Sequence, residues 1–383
     1  MRILQLHNHY RQAGGEDAVV ETEADLLRSA GHEVRTFATA NPVEGPRALG
    51  RLLVAPWNPA AAARVRRLAM DLQPDIAHLH NTWYSLTPAV PAALRNLGIP
   101  VVMTLHNYRL VCAAATLFRD GSPCTDCVVS HPWHAVAHRC YRNSFGASAV
   151  ASATIAGHKA RQTWHRDVDK FIALSSFGRE QFLAAGLPPE RLAVKYNSVA
   201  DPGPRANPPS SSSKILFVGR LAEEKGVLQL LEAWREVPAP LELVIVGTGP
   251  LDAQLRATAP SRVRFLGQTD PASVAALMRG ARALVFPSLW YEGLPLVPIE
   301  AAAAGLPVVL SDLGAMSEMF RPEADQFLLP AGDVAALASR LQRLHEDAFV
   351  DHHGRFFRQR FLERFTHDRA IDRLQQIYRQ LNE

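Results

Sequence analysis

The chain has 383 residues, 48% hydrophobic and 20% charged, with a formal net charge of +4. That length exceeds one ordinary core and suits two domains of about 100–200 residues each, and the composition is that of a globular protein. No apolar run approaches the ~18 residues needed to cross a bilayer, and MRILQLHNHYR at the start carries too short an apolar run for a secretory signal, so a cytoplasmic protein is expected.

In chain order, RILQLHN (2–8) predicts a strand. EDAVVETEADLLRSAG (16–31) predicts a helix with Val20, Ala24 and Leu27 on one face and Gly31 as its stop. EVRTFA (33–38), DIAHLHN (75–81), PVVMTLHN (100–107) and DKFIALS (169–175) are short apolar strands, with helical sequence such as VPAALRNLG (90–98) between them. NSVADPGPRANPPSSSSK (197–214), dense in Pro and Ser, reads as an interdomain linker. The alternation then restarts. KILFVG (214–219), LELVIVG (241–247), VRFLG (263–267), RALVFPS (282–288) and PVVLSD (307–312) are strands. VLQLLEAWREV (227–237), PASVAALMRGA (271–281) and PIEAAAAG (298–305) are helices, and helical sequence runs from about 333 to the end.

Apolar strands alternating with helices predict parallel sheets covered on both faces. Doing so on either side of a linker predicts an α/β chain with two Rossmann-like domains, over 1–196 and 214–365, joined by 197–213. Ligands of such sheets bind beyond the carboxyl ends of the strands, and a cleft between the domains is expected.

Charge is uneven along this layout. Residues 1–200 hold 21 Lys and Arg against 15 Asp and Glu, and residues 201–383 hold 20 against 22. RLLVAPWNPAAAARVRRLAM interleaves Arg51, Arg64, Arg66 and Arg67 with Leu52, Leu53 and Trp57. Two readings stand: a surface for an anionic membrane or acceptor, which would place the protein peripherally at the inner face of the membrane, or a solvated helix face. With no recognised motif and no basic block, nucleic acid is not an expected partner.

Unusual residues collect at the strand ends. Gly14 and Gly15 precede a helix whose first N–H groups suit an anion, although an ordinary turn would look the same. His78, His80, His106 and Arg109 follow two successive strands. Arg220 lies just past the strand 214–219, with Lys225 five residues on and before a helix, an arrangement suited to a diphosphate. Gly219, Gly247 and Gly249 allow close backbone approach. Glu292 and Glu300 bracket an apolar Gly/Pro loop, with Pro298 in the first turn of a helix and Glu300 in that same turn. A carboxylate accepts from both members of a vicinal diol, and the backbone N–H groups between Gly293 and Leu296 are available to what lies between. Hydroxyl-rich groups near the two glutamates and a diphosphate near Arg220 and Lys225 describe a nucleotide sugar.

The E-x7-E element of Glu292 and Glu300, together with GRLAEEKG, VGTGPL and SDLGAMSE, resembles the family-4 retaining glycosyltransferases of the GT-B fold, over essentially the whole chain. The resemblance implies that the first domain binds a glycan or lipid-linked acceptor and the second a UDP- or GDP-sugar. It implies that Arg220 and Lys225 hold the diphosphate and stabilise the leaving group, that Glu300 holds the ribose, and that Glu292 contacts the transferred sugar. Gly219, Gly249 and the Gly293-Leu294-Pro295-Leu296 backbone would line the donor site, with His106 beside the sugar and Gly15 near the phosphates. It further implies retention without a protein nucleophile or catalytic metal, a role in cell-surface polysaccharide or glycolipid synthesis, and a last helix (about 366–383) crossing back to the first domain. Two departures leave the sugar's identity open: Asn197-Ser198-Val199-Ala200 stands where the family often has N-G-V-D, and Gly293-Leu294-Pro295 where it usually has Gly-Phe-Gly.

All four cysteines, Cys112, Cys124, Cys127 and Cys140, fall within 29 residues, with His131, His134 and His138 among them. In a cytoplasmic protein this clustering suits a structural zinc, although a ribbon would show two C-x2-C pairs and four unlinked thiols remain the other reading. The segment is expected as an insertion over the cleft mouth on the acceptor side. Two rival functions use the same architecture: a non-hydrolysing sugar-nucleotide epimerase, for which no further acid/base carboxylates are found, and a non-catalytic nucleotide-sugar-binding protein.

Overall fold

The computed structural model describes residues 1–9, 14–40, 54–83, 85–321 and 324–381. The chain divides into two compact units. Unit 1 comprises Met1–Leu117, Cys124–Tyr196 and Ala370–Glu383, and unit 2 comprises Phe118–Pro123 and Asn197–Arg369.

The strands of unit 1 are β1 (Arg2–His9), β2 (Glu33–Ala40), β3 (Ile76–Leu79) and β4 (Val101–Leu105). After a short hairpin of unit 2, β5 (Phe118–Arg119) with β6 (Ser122–Pro123), come β7 (Lys170–Ala173) and β8 (Leu192–Val194). They form a six-stranded sheet in the order β2-β1-β3-β4-β7-β8, every pair parallel. The central strands β3 and β4 are buried throughout, as expected of a sheet covered on both faces. β8 was not expected; three residues give no periodicity to read.

In unit 2, β9 (Lys214–Val218), β10 (Glu242–Val246), β11 (Val263–Gly267), β12 (Ala283–Phe286), β13 (Val308–Ser311) and β14 (Leu328–Leu329) form a second parallel sheet in the order β11-β10-β9-β12-β13-β14. Each of the two orders reverses direction beside the sheet's first strand, which is where an open α/β sheet leaves a crevice.

One detail differs from the sequence expectation. The helix around Glu300 spans Leu296–Ala303, so Glu300 is its fifth residue and lies beyond the first turn. Apolar Leu296 and Val297 extend the helix forward, and Pro298 sits at its third position, where no intrahelical N–H is needed. The Pro/Ser stretch is packed against unit 2. Arg205 donates to the carbonyls of Asn207, Arg279 and Ala281, Ser210 donates to Asp351, and Val199 bridges to Thr366. In the basic stretch, Arg51, Leu52 and Leu53 lie outside the described residues.

The C-terminal helix His367–Arg379 places Leu374, Ile377 and Tyr378 among Ile3, Leu27, Ile76, Val102 and Ile172 of unit 1. Leu374 and Ile377 are 1% and 0% exposed, so each contributes about 1.5–3 kcal/mol of apolar burial.

Candidate active site

In unit 2 the strand-end loops are drawn together by glycines. Gly226 has φ +68°, and a Cβ there would come within 2.0 Å of the Pro287 carbonyl oxygen; at Gly249 it would come within 2.3 Å of the Leu221 carbonyl oxygen. The loops after β9, β10 and β12 therefore pack backbone to backbone, a closeness only glycine permits. Gly219 takes part by placing its own carbonyl against Gly247. Leu289 N–H donates to the Glu224 carbonyl at 2.8 Å, and Ser288 Oγ lies 3.2 Å from the same oxygen, fixing the loop that carries Lys225 to the loop that carries Glu292.

Those two residues meet directly. Lys225 Nζ lies 2.6 Å from Glu292 Oε1, which also accepts from Ser288 Oγ at 2.8 Å. The ammonium sits over the Trp290 ring at 5.0 Å. This pair was not expected; 67 residues separate its members. Arg220 is exposed, and its side chain has no partner among the described residues. Asn197, at a position where the chain departs from the family pattern only afterwards, donates through Nδ2 to the Leu294 carbonyl at 2.8 Å and so holds the Gly293–Leu296 loop from beneath.

Glu300 borders a cavity of about 380 Å³ whose walls include Val199, Val218, Thr269, Val274, Met278 and Ala304. The walls are mainly apolar, and Val218, the last residue of β9, is among them. Burial pushes the Glu300 carboxyl up from its ordinary value, and no side-chain partner satisfies it among the described residues.

Unit 1 holds His106, just past β4, and Gly15, the first residue of the helix Gly15–Ser29. The start of that helix already carries carboxylates: Asp17 Oδ2 accepts from Gly14 N–H at 3.0 Å, and Oδ1 lies 2.8 Å from both His7 and His9. An anion near Gly15 would therefore meet negative charge as well as the helix N–H groups.

Behind His106 lies a buried polar network. His106 Nε2 is 3.0 Å from His80 Nδ1; His80 Nε2 is 3.3 Å from Glu23 Oε1; His78 Nδ1 is 3.1 Å from the same oxygen; and Lys195 Nζ is 3.0 Å from Oε2. Tyr378 Oη of the C-terminal helix reaches His78 Nδ1 at 2.7 Å. Burial pushes the Glu23 carboxyl up, but Lys195, His78 and His80 outweigh it and hold the group well below the usual range. Burial and the neighbouring His78 bring His80 down to about 4, and burial with His80 holds His106 well below its ordinary value. His106 is thus a neutral imidazole near pH 7. Sequence reading placed the histidines at strand ends but missed Glu23 and Lys195. The signal available was a carboxylate three residues after Val20 and four before Leu27, on the face that must be apolar.

Among the described residues two sets of potential metal donors, His7/His9/Asp17 and Glu23/His78/His80, each have their ligand atoms within 4.8 Å of one another. The second already holds the Lys195 cation, which opposes a metal ion there. The four thiols are reduced and are not gathered to that spacing. Burial and the three neighbouring thiols push Cys127 up to about 12.

Residues 13–201 match the Glycosyltransferase Family 4 family, and residues 212–347 match Glycosyl transferases group 1. The chain is 32% identical over 355 residues to a phosphatidyl-myo-inositol mannosyltransferase of Mycobacterium leprae, covering 86% of this chain and 83% of that protein. Among solved structures, it matches sucrose-phosphate synthase from Thermosynechococcus elongatus at TM-score 0.72 and 20% identity, over 100% and 99% of the two chains. It also matches HepE of Anabaena in complex with UDP at TM-score 0.70 and 20% identity, over 100% of both. With two parallel Rossmann-like sheets, the paired Glu292 and Lys225 and these relatives, the chain belongs to the family-4 glycosyltransferases of the GT-B fold.

Proposed function

We propose that the chain transfers a hexose from a UDP- or GDP-sugar to a glycan or lipid-linked acceptor, with retention of configuration and no catalytic metal. The observation that carries this reading is the Lys225–Glu292 pair, which joins the loop after β9, where Arg220 is exposed, to the loop that leads into the helix of Glu300. The apolar walls suit a nucleobase, and the unpartnered Glu300 carboxylate suits the ribose diol. The two cations suit the diphosphate, and Glu292, once its lysine turns to phosphate, suits sugar hydroxyls. Gly219, Gly249 and the Gly293–Leu296 backbone shape this wall.

In the reaction, the bond from the sugar's anomeric carbon to the diphosphate oxygen breaks and a bond to the acceptor oxygen forms on the same face. The acceptor's proton passes to an oxygen of the departing diphosphate. Arg220 and Lys225 carry the charge that develops there, which is the service a divalent ion would otherwise supply. His106, neutral and held from behind by His80, hydrogen-bonds the sugar without adding charge beside the developing oxocarbenium.

The mannosyltransferase relative is named for phosphatidyl-myo-inositol, which favours a glycolipid acceptor, and HepE was solved with UDP, which favours a nucleotide-sugar donor. The epimerase and binding-protein readings draw no support from these relatives. No described helix is long and apolar enough to cross a membrane. Exposed Trp57 and Met70, with exposed Arg64, Arg66 and Arg67 along the helix Pro59–Leu72, support a peripheral contact with an anionic membrane.

The test incubates EDTA-treated protein with UDP- and GDP-sugars and a lipid or glycan acceptor extract, following anomeric configuration by NMR. Retained configuration and undiminished turnover are expected. A new sugar nucleotide formed without acceptor, an inverted product, or loss of turnover restored by magnesium or manganese but not by zinc would overturn the reading.

A further inference from the structure

The chain keeps all four of its cysteines between positions 112 and 140, in a segment that ordinary folding forces barely account for. From Tyr108 to Asn143 the regular structure consists of a two-residue by two-residue hairpin and two four-residue helices, Asp126–Val129 and His134–Ala137. The apolar cluster beneath it is three alanines, Ala113, Ala135 and Ala151, with Cys127, Cys140 and Tyr141 packed against them. Six of the ten described non-glycine residues with positive φ fall here: Ala115, Leu117, Asp120, Arg139, Arg142 and Asn143. Small segments with thin cores and unfavourable backbone are held by disulfides or by metal. The thiols are reduced.

The cysteines reach this patch from three directions, with no three of their sulfurs within 4.8 Å of one another. Cys112 closes a turn by donating to the Tyr108 carbonyl at 2.8 Å, Cys124 donates to Leu117 at 2.7 Å, and Cys140 donates to Ala135 at 2.9 Å. The Cys127 thiol donates to the Pro132 carbonyl at 3.8 Å, and Cys127 and Cys140 pack on the same small cluster as Ala113, the neighbour of Cys112. Cys124 and Cys127 flank the start of the helix Asp126–Val129 in C-x2-C spacing, the common geometry of a zinc knuckle. The intervening histidines point elsewhere: His131 and His138 are exposed, and His131 and His134 stack on each other with centroids 4.4 Å apart.

We propose that Cys112, Cys124, Cys127 and Cys140 bind one structural zinc ion. Binding draws the four sulfurs into a tetrahedron and releases their protons to solvent. The ion also fixes a feature of the site above. Arg109 lies between the Trp83 and Tyr141 rings, 5.2 and 4.9 Å from their centroids, and donates to the carbonyls of Ala113 and Ala114. Trp83 Nε1 donates to Tyr141 Oη at 3.2 Å. Tyr141 follows Cys140 and Ala113 follows Cys112, so the metal clamps both walls of this arginine's seat, three residues from His106.

The full chain, grown with zinc and purified without chelator, is analysed by plasma mass spectrometry. About one zinc per chain is expected. In the native protein, a thiol reagent should find all four cysteines protected until a mercurial displaces the metal, with zinc release tracking thiol exposure. Cobalt-substituted wild-type protein should show the visible bands of tetrahedral thiolate coordination, a readout that needs no variant. Cys124→Ser/Cys127→Ser should lose the zinc. Absence of zinc with four titratable thiols, a disulfide in the native protein, or full zinc retention in the double variant would each overturn the proposal.

Discussion

Glu292→Gln separates the two tasks assigned to the unit 2 site. The glutamine is nearly isosteric and can still accept from Ser288, but it removes the charge that holds Lys225 Nζ at 2.6 Å. In the free enzyme that ammonium must leave the carboxylate, or share its protons, to reach a phosphate. The pair is well shielded, with side chains 17% and 9% exposed. A charge-assisted hydrogen bond contributes about 1.5–3 kcal/mol; since an ammonium has three donors and releases only one, about 1–2 kcal/mol is the part the donor must displace. The free nucleoside diphosphate should therefore bind the variant about 5- to 30-fold more tightly.

The nucleotide sugar behaves differently. If Glu292 accepts from sugar hydroxyls, the variant loses charged acceptor bonds of about 1.5–3 kcal/mol. Its affinity should stay level or fall, and turnover should drop by about 10- to 100-fold. Calorimetric titration of both proteins with UDP or GDP and with the matching sugar nucleotide reads the two effects side by side. Weaker binding of the free diphosphate by the variant would show that Glu292 positions Lys225 for phosphate, and the competition argued here would be wrong.

Lys195→Met leaves Glu23 buried without its cation, which costs about 3–5 kcal/mol, read as a lowered unit 1 transition in denaturant; a loss under about 1 kcal/mol would refute the network's electrostatics. Glu23 is held below its unfolded value of 4.5 in the wild type, so its stabilisation is present above that value and lost on acidification through the folded one. The gap between wild type and variant should thus be widest near pH 7 and narrow towards acid. Glu300 shifts the opposite way, its carboxyl raised above 4.5, so donor affinity should fall as pH drops through that raised value. Glu300→Gln should abolish this acid limb, and a limb that persists would assign it elsewhere. Arg66→Glu/Arg67→Glu should weaken binding to phosphatidylserine vesicles by about 30-fold or more, at about 1 kcal/mol for each cation lost; unchanged binding would leave that face merely solvated.

The unit 2 residues and the unit 1 residues differed in how far the sequence disclosed them, and the reason is contact order. Arg220, Lys225, Glu292 and Glu300 lie within loops whose local pattern is itself chemical: a cation pair after a strand, and two carboxylates around a Gly/Pro turn. What stayed hidden there was the bond between Lys225 and Glu292, because loop pairing is decided by which glycines let backbones touch. Gly226 against Pro287 and Gly249 against Leu221 are invisible until the loops are placed. Of the fold, ten of the twelve sheet strands could be read from apolar runs. β8 and β14, three and two residues long, carry no pattern of their own and exist because a neighbouring strand offers unpaired backbone groups.

The support behind His106 draws on residues 23, 78, 80, 195 and 378, supplied by a helix, a strand end, a chain segment after β8 and the C-terminal helix. No window of sequence contains it. Each member taken alone has a bland explanation: a strand-end histidine, a helix glutamate, a lysine after a strand. Only their burial distinguishes them, since Glu23 and Lys195 are each 5% exposed and a buried charge has to be paired. The network therefore has a consequence for the C-terminal helix. Tyr378 Oη on His78 ties that helix to the same carboxylate that orders His80, and through it His106. The last turn of the chain thus contributes to the polar order behind the imidazole while burying Leu374 and Ile377, so truncating it removes apolar packing and a member of the network in one step. A C-terminal segment that looks expendable by its distance in sequence is bound, in energy, to the surroundings of His106.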